Sequence, residues 1–192
     1  QGMLVNQGGT TNNEEFNTKH IGATVVHVAR PVFWLDLNAV EDLLQSSAEK
    51  GKDEEDPEEA ERKVIIDSYS RAGNIVTYGR YEQDNDLTNG PEPIEWFVLT
   101  YDEANNRAML ISKYGLDTLN FYNEWDPKLT VTWETCNARK WLNNVFLYSA
   151  FNEDERKAIP TTEVDNSDNL DLTKKQTVEV NNTQDRIFLL SN

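Results

Sequence analysis

The chain of 192 residues is 38% hydrophobic and holds five tryptophans, enough to bury the core of one ordinary domain with an arm, or of two small domain pieces. Thirty-four acids against 18 bases leave a formal net charge of -16, which argues against the clustered Lys and Arg that a nucleic-acid partner requires. A lone cysteine, Cys136, excludes an intrachain disulfide and a cysteine-built zinc site, and is expected to be a small buried hydrophobe.

In chain order, the β-branched run at 23–29 reads as a strand, and Pro31 interrupts it before residues 32–37 resume it. Asn38 is placed to cap a helix from Ala39 to about Glu49, with Val40, Leu43 and Leu44 on one face. Residues 49–63 are dense in charge, with Gly51 and Pro57 inside, and read as an exposed linker; 64–66 fits a helix end or a strand start. Segments 75–81, 94–101 and 107–112, separated by turn-forming Asn89, Gly90 and Asn105, Asn106, predict a three-stranded meander. Thr135 is placed to cap a helix to about Phe146, in which Ala138, Trp141, Leu142, Val145 and Phe146 form an apolar stripe. Asn152, with Glu155 three residues on and Pro160 beyond, predicts a short helix opened by a capping box. Residues 165–183 read as a long polar loop, and 187–190 as a returning core strand.

Several blocks also keep an order and spacing of their own. They are PIEWFVL at 93–99, LISKYGL at 110–116, TWETCNARKWLNN at 132–144 and RIFLLS at 186–191. In that order they resemble a bacterial domain-of-unknown-function family, numbered 6273. Residues 3–9 (MLVNQGG) and 28–37 (VARPVFWLDL) resemble the closing segment of the same family, here preceding the opening one. The resemblance covers roughly residues 1–38 and 73–192 and implies three pieces: a closing strand segment at 1–38, a helix and acidic linker at 39–72, and the opening part of a family domain at 73–192. A fragment cut across a tandem array, a circularly permuted domain, and a subunit completed by neighbouring copies all fit that order. The resemblance further implies an α+β fold of C-type-lectin-like character: a mostly antiparallel twisted sheet, two short helices and long polar loops.

Candidate chemistry is sparse. Arg139, five donors on a rigid plane, is suited to tying loop carbonyls or a carboxylate such as Glu134 to its helix, and Asn143 and Asn144 to backbone hydrogen bonding. Trp96 and Trp141 fall on core faces, whereas Trp125 lies in a polar loop beside Tyr122, Glu124 and Asp126, which makes those four the ligand-binding candidates. Oxygen-rich loops at Asp84, Asp86 and Asn89, and at Asp165, Asp168 and Asp171, leave calcium as the cation to consider, though neither keeps EF-hand spacing. For catalysis, His20 and His27 lie far in sequence from Cys136, neighbouring acids such as Glu153 and Asp154 do not face one another on a helix, and no nucleophile or phosphate-loop motif occurs.

The expectation is a non-catalytic recognition module with no required cofactor, extracellular or at a bacterial surface, whose partners are glycan or protein ligands and neighbouring copies of itself. The alternative is a structural repeat of a surface fibre or array, completed by strand exchange. Abundant Asn, Thr and acids with almost no Cys suit a Gram-positive surface, and the chain shows neither an apolar run of about 20 residues nor the regions of a signal peptide.

Overall fold

The computed structural model describes residues 27–49, 59–120, 131–166, 170–171, 176–177 and 180–190. Strand β1 (His27–Ala29) leads past Pro31 into β2 (Val32–Asp36), which runs directly into α1 (Leu37–Glu49). Asp36, the last strand residue, accepts the N–H groups of Asn38 (2.9 Å) and Ala39 (3.4 Å) and so takes the cap expected of Asn38. Asn38 instead accepts the Asn106 side-chain amide at 2.7 Å, tying α1 to the turn at 103–106. A second helix, α2 (Glu59–Tyr69), occupies sequence that reads as linker: Glu59 and Glu61 sit in its first turn, where the helix dipole favours acids, and Tyr69 is buried.

The meander forms as expected: β3 (Ile75–Tyr81), β4 (Glu92–Asp102) and β5 (Arg107–Ser112) are antiparallel neighbours. β2 adds to the far side of β5, giving one antiparallel sheet in the order β2, β5, β4, β3, so the 32–36 segment is paired within its own chain. β6 (Asp117–Leu119) returns to pair with β1.

Helix α3 (Asn137–Trp141) continues through a π-helical turn, Leu142–Phe146, into α4 (Leu147–Ala150). Its cap is Cys136, whose Sγ accepts the Arg139 N–H at 3.3 Å; Thr135, one residue earlier, bonds the Thr132 carbonyl instead. The π turn widens the coil and turns Val145 out to 55% exposure, while Leu142, Phe146, Leu147 and Ala150 stay buried, so the expected stripe loses one member. Asn152 and Glu155 close both bonds of the capping box at the head of α5 (Glu153–Lys157).

Beyond it, β7 (Thr162–Val164) pairs with β10 (Thr183–Asp185) at the two ends of the stretch read as a loop, and β8 (Leu170–Asp171) pairs with β9 (Gln176–Thr177) inside it. The strand expected at 187–190 is a single bridge, Phe188 to Val32. Among the described residues no helix is long and apolar enough to cross a membrane.

The core lies between one face of the sheet and the helical segment 137–159. Phe33 and Leu35 from β2, Trp96 and Val98 from β4, and Leu110 from β5 meet Leu142, Phe146 and Phe151, all at 0–2% exposure. Phe33 packs edge-on to Trp96 (4.7 Å, 83°) and Phe151 (5.5 Å, 73°). The Trp96 indole N–H, buried with its ring, donates to the Tyr78 carbonyl at 2.7 Å. Gly79 lets β3 bulge beneath α4: its φ is +71°, and a Cβ there would lie 2.6 Å from the Ala150 carbonyl oxygen and the Phe151 ring.

Candidate functional site

On the opposite face of the sheet lies a shallow, open depression. Trp34 and Met109, register partners across β2 and β5, share an open groove of about 230 Å³ with Thr162 to Asp165 and with Phe188, Leu189 and Leu190. Trp34 is half-buried because strand parity puts it opposite Phe33 and Leu35, which point into the core. The Arg107 guanidinium lies over its indole at 4.4 Å from the ring centroid and is anchored by Asp102 at 2.9 Å.

The same parity governs the main chain of β2. Val32 exchanges two hydrogen bonds with Phe188 (2.8 and 2.9 Å), and the Asp36 N–H reaches the Ala158 carbonyl at 2.8 Å, all on the strand's outer edge. Trp34 lies between them and turns its N–H and C=O to that edge, where among the described residues neither finds a main-chain partner. In the groove wall, the Thr162 hydroxyl is buried and makes no hydrogen bond among the described residues. Both Glu163 carboxylate oxygens accept amides from β10 and its approach, Asn182 at 3.1 Å and Gln184 at 3.2 Å. Asp165 sits exposed at the rim.

β10 is held in place from below by a buried charge network. Asp185, 2% exposed, accepts Arg139 Nε at 2.7 Å, the Trp133 indole N–H at 2.9 Å and the Thr183 hydroxyl at 2.6 Å. Arg139 spends further donors on the carbonyls of Glu134 and Gln184, which is the loop-tying role its chemistry suggested, with Asp185 rather than Glu134 as the carboxylate. Asn143 completes the scaffold: its amide donates to the carbonyls of Arg139 and Ile187, and its oxygen accepts the N–H groups of Arg186 and Ile187.

A second cluster occupies the β3–β4 connection. Glu82, Asp84 and Glu92 bring one carboxylate oxygen each to within 4.8 Å of the others, a hard-oxygen set that could hold a cation such as calcium. Burial, then the charge of Glu92, pushes the Glu82 carboxyl up. The Asp86 N–H and the Asn89 amide hold Asp84 down, and the Thr88 hydroxyl and N–H do the same for Asp86, which is not one of the three. Of the proposed oxygen ligands, then, Asp84 joins a cluster, Asp86 caps a turn and Asp165 borders the groove; Asp168 lies outside the described residues. Trp125, Asp126, Tyr122 and Glu124 also lie outside them. Cys136 is buried as expected, and burial raises its thiol to about 11.

Trp34 and Thr162 escape sequence reasoning. The run 32–37 is almost wholly apolar, so it reads as one buried strand, and the only hint of a second face is that Trp34 shares its parity with Asp36.

Residues 105–192 match the model of a family described as a domain of unknown function, DUF6273. That segment belongs to the DUF6273 family. No curated protein and no solved structure matches the chain. The DUF6273 segment contributes every residue lining the groove except Trp34, which comes from β2.

Proposed function

We propose that the chain is a non-catalytic recognition module of a bacterial surface, with C-type-lectin-like architecture, and that it binds glycan or protein ligands in the groove beside Trp34. The observation that carries this reading is the groove's composition: a half-buried tryptophan and neighbouring apolar side chains meet an acidic rim and a buried hydroxyl that bonds nothing among the described residues. At about 230 Å³ it falls below the roughly 300–1,000 Å³ of sites that enclose a whole drug-sized ligand. It suits one sugar ring or one side chain of a longer partner.

The test is a screen of immobilised glycans and peptides with the full chain, repeated with Trp34→Ala and Trp125→Ala. Binding lost in Trp34→Ala and kept in Trp125→Ala supports the groove; the reverse moves the site to the 122–126 loop. A second reading, a repeat unit assembled by strand exchange, draws on β2 itself. That strand lies outside the family match yet fills the core beside it, so the same strand from a neighbouring copy could occupy the same place. Chains mixed with and without residues 1–38 would then form complexes, and a mixture that stays separate would count against exchange.

A further inference from the structure

We infer that Asn89, in the connection between β3 and β4, is a site of spontaneous covalent modification: the main-chain nitrogen of Gly90 attacks its side-chain amide, and the residue converts to aspartate and isoaspartate while the chain stays folded. Asn89–Gly90 is the one Asn-Gly pair in the sequence. Asparagine is among the heat-labile residues, and the side chain of the residue that follows it ordinarily crowds the attacking nitrogen. Glycine has no side chain to do so.

The loop leaves the reacting groups accessible. Residues 84–89 are all exposed, so water reaches the Asn89 amide and the turn can shift without disturbing the core. At Gly90, with φ at +75°, even a Cβ would meet nothing within 4 Å. Among the described residues the Gly90 N–H makes no hydrogen bond, so its proton can pass to solvent. Its nitrogen then bonds to the Asn89 Cγ, the Cγ–Nδ2 bond breaks, and ammonia leaves behind a cyclic succinimide. Water opens that ring at either carbonyl. One opening gives aspartate; the other reroutes the main chain through the side-chain carbon and gives isoaspartate.

The bond that opposes departure of the amide is its donation to Asp84 Oδ2 at 3.0 Å. A single exposed hydrogen bond slows the reaction about two- to ten-fold, which delays conversion without preventing it. Afterwards a carboxylate stands where an amide donated to Asp84, beside the group formed by Glu82, Asp84 and Glu92, and the loop has gained a negative charge.

The experiment is peptide mapping by mass spectrometry of the full chain held for days near neutral to mildly alkaline pH, native and in guanidinium, with fragmentation that tells isoaspartate from aspartate. The native peptide holding Asn89 is expected to gain about 1 Da as both isomers, with near-ultraviolet circular dichroism unchanged. Its rate should exceed that at Asn105 and Asn181, both exposed but followed by asparagine, by at least about ten-fold, and fall below that of the denatured chain by no more than about ten-fold. Asn89→Gln should abolish the gain, since the larger ring closes more slowly. Gly90→Asn tolerates the left-handed φ, crowds the attacking nitrogen and should slow conversion at Asn89; Pro91, without an N–H, gives the new asparagine no attacking group.

An Asn89 peptide that stays intact in the native chain, or converts only in guanidinium or with loss of the folded spectrum, overturns the inference. Aspartate without isoaspartate would mean direct hydrolysis by water and overturns the attack by Gly90. Equal rates at Asn105 or Asn181, or an undiminished rate in Gly90→Asn, would overturn the special role of the Asn-Gly pair.

Discussion

Replacing Phe33 by alanine tests whether the 27–37 arm belongs to the same folded core as the DUF6273 segment. The side chain is fully buried, edge-on to Trp96 and Phe151 and 6.2 Å from the Tyr78 ring, so truncation removes a large apolar surface and leaves a cavity between sheet and helices. Substitutions of this kind cost about 3–5 kcal/mol, part of it from lost ring pairs worth about 0.5–1.5 kcal/mol each. For a chain of this size each kcal/mol moves the melting temperature by about 2–4 °C, so a fall of roughly 6–20 °C is expected. Thermal unfolding followed by near-ultraviolet circular dichroism measures it, since Trp96 reports on the packing. Ile75→Ala, at 48% exposure on β3, is the control and should move the midpoint by no more than about 2 °C. If Phe33→Ala melts within about 2 °C of the unmodified chain, Phe33 is not buried there and the arm is not docked.

Asp185→Ala leaves the Arg139 guanidinium and the Trp133 indole N–H without their shared acceptor, and should cost about 3–5 kcal/mol in denaturant titration; a loss under 1 kcal/mol would mean that the network is solvated. Gly79→Ala places a methyl group against the Ala150 carbonyl at a left-handed φ, and should cost about 2–5 kcal/mol from backbone strain and overpacking together. In alkali, Tyr69 ionises at about 12 rather than 10.0 and Cys136 at about 11 rather than 9.0, both chiefly through burial, and Tyr78 and Tyr81 are raised as well. The unfolded chain therefore gives up protons first. The stability linked to Tyr69 and Cys136 is complete below about pH 9 and is lost between pH 9 and 12, by up to about 3 kcal/mol for each. Equilibrium unfolding at pH 7, 9 and 11 should show a fall confined to the last step; a constant stability would refute the burial of these groups. The buried Cys136 thiol should also resist alkylation at pH 8 until the chain unfolds.

The meander, the capping box at Asn152 and the core placement of Trp96 were legible because each rests on residues close in sequence: alternation along a strand, a cap and its partner three residues apart. α2 was not. Its charges resemble those of a linker, and packing from Tyr69 and Ile66 decides its state. The Arg139–Asp185 pair spans 46 positions, and the groove joins Trp34 to residues about 75 to 156 positions away, contacts that only the folded chain brings together. The cap at Cys136 defeats a propensity argument, since thiols rarely take that place. In sequence an aromatic within a polar loop, as at Trp125, is conspicuous, whereas an aromatic inside an apolar strand, as at Trp34, is not.

The central claim is that the arm closes the sheet of its own chain and thereby builds the groove. Native-state hydrogen exchange at the Phe33 and Leu35 amides, read by NMR over a hundred-fold range of protein concentration, tests it most directly, because these amides face Leu110 and Ala108 across β2 and β5. The account predicts protection equal to that of the Leu110 and Ala108 amides and independent of concentration. Protection that is absent, or that appears only as concentration rises, would mean that the strand is supplied by another copy or by none.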